Sequence, residues 1–264
     1  MRRTVSASMR IVFQGATRAV LSIAPALPAV TANESLVLRH QTGSLTAREL
    51  VDGHGTRLHV VSAPAGWLEV EYTTDVIGRS EPAPTDELDL LRFMRPSRYA
   101  ESDVLGPTAR YEFIGLTGLE LLDAVTQWVS TRLAYVSGSS LPTDGAARTL
   151  LNRQGVCRDY AHLTIAILRA LDVPARMVSV YAPGLSPMDF HAVAEANIDG
   201  VWHVVDPTRL APRQSLLRIA TGRDAADTAF LTTHDADVEF QSLLVSAIVD
   251  VFPIDDITTP QQLG

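Results

Sequence analysis

One cysteine occurs in the 264 residues of this chain, and its setting is a chemical one. Cys157 stands in RQGVCRDYAHL, residues 153–163, between a glycine and the start of a run with apolar residues at helical spacing. A thiolate, not a thiol, is the nucleophilic form of cysteine, and the exposed N–H groups and positive end of a helix N-terminus favour it. Gly155 permits a sharp turn just ahead of the sulfur. A nucleophile at the first helical residue also brings its own backbone N–H close to any oxyanion formed on attack. A lone cysteine at a helix start is otherwise just a small buried residue, so the chemical reading requires partners.

Those partners lie in a hairpin downstream. FHAVAEANI and VWHVVDP are β runs joined by Asp199-Gly200, a pair suited to a two-residue turn. With those two residues as the loop, Ile198 faces Val201, Val193 faces Asp206 and His191 faces Thr208. His191 and Asp206 are then diagonal neighbours on one face, near enough for a carboxylate to orient an imidazole. His203 pairs with Ala196 on the opposite face and is excluded unless the register slips. Cys157, His191 and Asp206 together supply a nucleophile, a base that takes the thiol proton and returns it to a leaving group, and an acid that fixes the imidazole tautomer. An imidazolium–thiolate pair is the expected resting state.

The elements that must position these groups are legible around them. CRDYAHLTIAILRALDV places Ala161, Ile165, Leu168 and Leu171 on one helical stripe and stops before Pro174. ARMVSVYA reads as the next strand. Upstream, Leu119, Leu122, Val125, Val129 and Leu133 predict a helix over roughly 116–134, and ARTLLNRQ a short helix leading to Gly155. Residues 9–80 read as β: in GWLEVEYTTDVIG, Leu68, Val70 and Tyr72 alternate with Glu69 and Glu71. SEPAPTDE at 80–87 is a breaker and marks a boundary. The expected organisation is an N-terminal β-rich domain over 1–82 and a catalytic domain over 83–264, with VEFQSLLVSAIVDVF as a late strand.

GVCRDYAHL, HAVAE and VWHVVDPT together resemble the transglutaminase-like superfamily, in particular its bacterial cysteine-protease-like branch. That family carries G-x-C-x-D-x-A-H at a helix start, H-A-x-x-E on a strand and W-x-x-x-D-P-T on the next. FMRPSRY at 93–99 and GRDAADTAF at 222–230 also look like family segments. The resemblance implies an α+β fold in which a papain/transglutaminase-like core packs the Cys157 helix on an antiparallel sheet. It implies a Cys157–His191–Asp206 triad and a thioester intermediate. The expected activity is that of a cysteine-dependent amide hydrolase, a protease or amidase, on a peptide or protein substrate. Acyl transfer from protein glutamine to an amine acceptor is the alternative, as is a non-catalytic binding or scaffold domain of the same fold. Arylamine N-acetyltransferases share the triad logic and would need coenzyme A, but the residues around Cys157 look less like theirs. Val193 stands where the family commonly carries an aromatic residue. Gln154, Asn152 and Trp128 are all candidates for the second oxyanion donor.

Other residues have simpler readings. His162 is expected to be a packed or hydrogen-bonded helix histidine, and Asp159 a cap in the first turn. Glu195 is expected at the rim, most simply as a solvated charge, and Trp202 either in the core or shielding Asp206. His40, His54 and His59 are scattered. No HExxH, CxxC, calcium-loop, G-x-S-x-G or phosphate-loop pattern is present, so no metal or cofactor is expected.

The totals limit the remaining possibilities. A formal charge of -8 argues against nucleic acid as a partner. All 22 basic residues are arginine, which leaves no lysine for Schiff-base chemistry or for self-cross-linking through glutamine–lysine bonds. Arg10, Gln14 and Arg18 break the apolar character of the first segment, so a cleaved signal is not expected and the cytoplasm is the expected compartment. No apolar stretch approaches bilayer length, and no membrane partner is expected.

Overall fold

Alternation in the β-rich half becomes burial in the folded chain. The computed structural model describes residues 1–264. Seven strands come first: β1 (Arg2–Phe13), β2 (Thr17–Leu21), β3 (Thr31–His40), β4 (Gly43–Leu45), β5 (Arg48–Val51), β6 (Arg57–Ala63) and β7 (Gly66–Ile77). In β7, Leu68, Val70 and Tyr72 are buried, while Glu69 and Glu71 turn outward to pair with Arg10 and Arg39. Helices α1 (Glu87–Arg92), α2 (Ser102–Glu112) and α3 (Gly118–Arg132) follow, then a short strand β8 (Ala134–Tyr135). Next come α4 (Ala146–Asn152), the short strand β9 (Gln154–Gly155) and α5 (Cys157–Ala170). The chain continues through β10 (Ala175–Tyr181), β11 (Phe190–Ile198), β12 (Val201–Val205), β13 (Leu217–Gly222), α6 (Ala225–Thr228), β14 (Leu231–His234) and β15 (Val238–Val249).

The strands form two N-terminal sheets, ordered β15-β1-β7-β3-β4 and β14-β2-β6-β5, which enclose a shared apolar core around Ile11, Leu21, Val61 and Leu68. A third sheet, β12-β11-β10-β13, is antiparallel throughout. On it lies α5, whose Ile165, Ala166 and Leu168 share a core with Ala175, Met177, Ala194 and Ala196 of the sheet. Residues of α2 and α3, among them Leu105, Ala109, Leu122, Val125 and Val129, join this core. An apolar strip of Val5, Val76, Val245, Tyr181, Leu217 and Ile219 joins the first sheet to the third. The C-terminal tail covers the outer edge of β12, where the Val204 N–H donates to the Gln261 carbonyl at 2.8 Å. No helix is long and apolar enough to cross a membrane.

The fold is α+β, with the predicted α3, α4 and α5 in place. The expected division at residue 82/83 needs correction. β14 pairs with β2, and β15 pairs with β1 along nearly its whole length, so residues 231–249 lie in the N-terminal sheets. Strand pairing across more than two hundred residues leaves no local signature in the sequence. The helix α2 was also unforeseen, because Gly106 and Pro107 at its middle read as breakers.

Candidate active site

A short parallel ladder sets the start of α5. β8 runs beside β9, with Ala134 N–H donating to the Arg153 carbonyl at 2.9 Å and Val136 N–H to the Gly155 carbonyl at 3.0 Å. Gly155 has no freedom to carry a side chain: a Cβ there would lie 2.6 Å from the Asp159 Cβ. The Asp159 carboxylate, fully buried, accepts the Val156 N–H at 2.8 Å and is met by Arg158 at 3.1 Å, which makes it the expected cap. Cys157 is then the first residue of the helix, half-buried, with a backbone N–H that has no carbonyl one turn earlier to bond.

The hairpin delivers the other two groups in the register read from the sequence. Ile198 pairs with Val201 and Ala196 with His203, around Asp199 and Gly200 at φ 51° and 84°. Two successive positive φ values give a turn whose twist matches the strands. His191 Nε2 lies 2.9 Å from Asp206 Oδ2, both side chains buried. Asp206 Oδ1 accepts from the Thr208 hydroxyl at 2.6 Å and the Thr208 N–H at 3.0 Å. His191 Nδ1 is buried and bonded to no nitrogen or oxygen. The Cys157 thiol is the neighbour that acts on the imidazole besides Asp206.

Charge in this cluster is arranged around the imidazolium. Burial works against it, but the Asp206 carboxylate and then Cys157 outweigh that cost and raise the His191 pKa to about 10. Asp206 is held below the usual carboxylate range: burial opposes ionisation, and His191 and the two Thr208 donors overcome it.

Other candidates take different places. His162 is completely buried, stacks on Tyr99 at 5.3 Å and accepts the Ala225 N–H through Nε2 at 3.1 Å, as a packed histidine. Burial pushes its pKa down to about 4. Glu195 corrects its expectation. It is 1% exposed, and Arg176 at 2.8 Å and Arg218 at 2.7 Å hold it. Trp202 belongs to that cluster, with Arg176 3.9 Å above its ring and Phe93 edge-on at 5.9 Å. Its partners are thus core residues. Of the three suggested oxyanion donors, Asn152 and Gln154 are exposed, and the Trp128 indole N–H is engaged, donating to Glu112 at 2.9 Å. The Tyr135 hydroxyl is close enough to Cys157 for the thiol to add to the burial that raises the phenol pKa to about 12. No three His, Cys, Asp or Glu side chains are arranged to hold a metal ion. A cavity of about 480 Å³ between α3, β12 and the C-terminal tail is lined by Asp206, Arg209 and Gln127 but by neither Cys157 nor His191.

Residues 114–207, from the end of α2 through Asp206, match the transglutaminase-like superfamily. Over nearly its whole length the chain is similar to a candidate cysteine protease from Cytophaga hutchinsonii, with 30% identity, 98% of this chain and 95% of that one covered, and a TM-score of 0.88. The chain belongs to the transglutaminase-like superfamily. An uncharacterized Mycobacterium leprae protein is 30% identical over 119 residues, which are 40% of this chain and 41% of that protein. A Mycobacterium bovis protein is 41% identical over 63 residues, 24% of this chain and 20% of its own length. The chain thus spans less than half the length of these mycobacterial relatives. As a member of the superfamily, it has the fold of cysteine-dependent enzymes, with His191 beside both Asp206 and Cys157.

Proposed function

We propose that this protein is a cysteine-dependent amide hydrolase that acts on a peptide or protein through a thioester on Cys157. The observation that carries the reading is the placement of the His191 ring between two groups: the Asp206 carboxylate at Nε2, and the Cys157 thiol as its other polar neighbour. In the proposed reaction, Nδ1 holds the proton taken from sulfur. The thiolate attacks the amide carbon, and the carbonyl electron pair moves to oxygen, where the Cys157 N–H receives it. The tetrahedral species collapses as the C–N bond breaks, and His191 gives its proton to the departing amine. Water, deprotonated by His191, then cleaves the thioester, which returns the thiol and releases a carboxylate. Asp206 keeps the ring in one tautomer and stabilises its cationic form.

The similarity to the Cytophaga hutchinsonii candidate protease supports hydrolysis over acyl transfer. Casein incubated with the protein, with and without dansylcadaverine, separates the two. Cleavage or ammonia release that is independent of the amine and absent in Cys157→Ala is the expected result. Dansyl incorporation that depends on Cys157 would make the protein an acyltransferase instead. Neither reaction, with Cys157→Ala behaving as wild type, would leave a binding domain.

A further inference from the structure

The β8–β9 ladder does more than set the start of α5. Tyr135 is the register partner of Gly155, two residues ahead of Cys157, and backbone hydrogen bonds from Ala134 and Val136 fix it on both sides. Its ring packs near that of Tyr160 on the first turn of α5, with centroids 5.9 Å apart. The Tyr160 hydroxyl donates to the Leu133 carbonyl at 2.8 Å, so the same short segment is tied to the helix a second time. This pairing and ring contact hold Tyr135 at the start of α5, where its hydroxyl feels both the backbone N–H and the thiol of Cys157. Tyr135 is 45% exposed, so an incoming group can reach it from solvent.

We propose that the Tyr135 hydroxyl is the second donor of the oxyanion hole, paired with the Cys157 backbone N–H. This rests on the reading of Cys157 as an acyl-accepting nucleophile. As the sulfur–carbon bond forms and the carbonyl π electrons move to oxygen, that oxygen accepts from the Cys157 N–H and from the Tyr135 O–H. The phenolic proton stays on tyrosine throughout. When the tetrahedral species collapses, the electrons return to the carbonyl and the C–N bond breaks. Burial raises the phenol pKa to about 12, with the Cys157 thiol adding to the rise and its N–H opposing it, so the hydroxyl is a donor across the neutral range. A donor aimed at the charge that develops, and fixed by backbone bonds, needs little reorganisation during the reaction.

Two reactions at the same sulfur test this. Iodoacetamide alkylates the thiolate by direct displacement and forms no oxyanion. p-Nitrophenyl acetate acylates it through a tetrahedral oxyanion. In Tyr135→Phe, which keeps the ring, the acylation rate constant is expected to fall by about 10²–10³, the usual cost of removing one such donor, while alkylation stays at the wild-type rate. Unchanged alkylation also certifies that the variant is folded around Cys157. Equal rates of acylation in variant and wild type would overturn the proposal. So would a parallel loss of both reactions, which would make Tyr135 a positioning residue for the thiol. A wild-type protein that reacts rapidly with neither reagent would sink the nucleophile reading itself, and this one with it.

Discussion

Asp206 meets the His191 ring at Nε2, 2.9 Å away, and Thr208 holds the other oxygen of the same carboxylate at 2.6 Å. The acid is fixed at both ends, so the imidazole has one tautomer and one orientation that satisfy it. Asp206→Asn keeps the shape and removes that preference. Acylation of Cys157 by p-nitrophenyl acetate is expected to slow by about 10³–10⁴, as when the orienting acid of a triad is neutralised. A burst assay followed by intact mass measures it.

The same pair sets a pH dependence of stability. The His191 pKa is raised above its unfolded value of about 6.5, to about 10. Its contribution is therefore complete below about pH 6.5 and is lost as pH rises through 10. Asp206 is shifted down, so its contribution is present above the unfolded carboxylate pKa and fades as pH falls through the folded value. The stability difference between wild type and Asp206→Asn is expected to be largest near pH 5–6 and to shrink toward pH 10.5. Urea titrations at four pH values check this. A difference that grows with pH contradicts the assignment.

His162 gives the opposite slope. Its folded pKa, about 4, lies below the unfolded value, so its contribution is present above about pH 6.5 and is lost as pH falls through 4. Protonation also removes the acceptor for the Ala225 N–H. The shift corresponds to about 3 kcal/mol. His162→Gln is expected to be less stable at neutral pH but flatter between pH 6.5 and 4, read by the same titrations.

Glu195 tests a structural role against a chemical one. Its removal leaves Arg176 buried without its counter-ion, a change that costs about 3–5 kcal/mol in comparable pairs. Glu195→Ala is expected to unfold at markedly lower denaturant, while its folded fraction alkylates at Cys157 at the wild-type rate. Loss of that rate in the folded protein would place Glu195 in the reaction.

The legible part of the site was the part encoded locally. Gly155 ahead of Cys157, the helical stripe behind it and the Asp199-Gly200 turn each lie within a few residues, and the turn fixed the His191–Asp206 relation by register alone. Glu195 was misread because the arginines that neutralise it sit 19 and 23 positions away on separate strands. An acidic residue on a strand looks solvated until those partners are seen. Tyr135 was missed because a two-residue parallel ladder has no periodicity to detect. The return of β14 and β15 to the N-terminal sheets escaped for a related reason: a strand's pattern shows that it is a strand, not which edge it joins.

The most direct test of the thiol–imidazole pair is the rate of iodoacetamide labelling of Cys157 against pH, by intact mass, in wild type and His191→Ala. The expected wild-type rate stays high well below about 8.5, where an unactivated thiol titrates, and His191→Ala loses that low-pH reactivity. An ordinary thiol titration curve in both proteins, or slow labelling in both, would contradict the assembled pair and with it the proposed hydrolase.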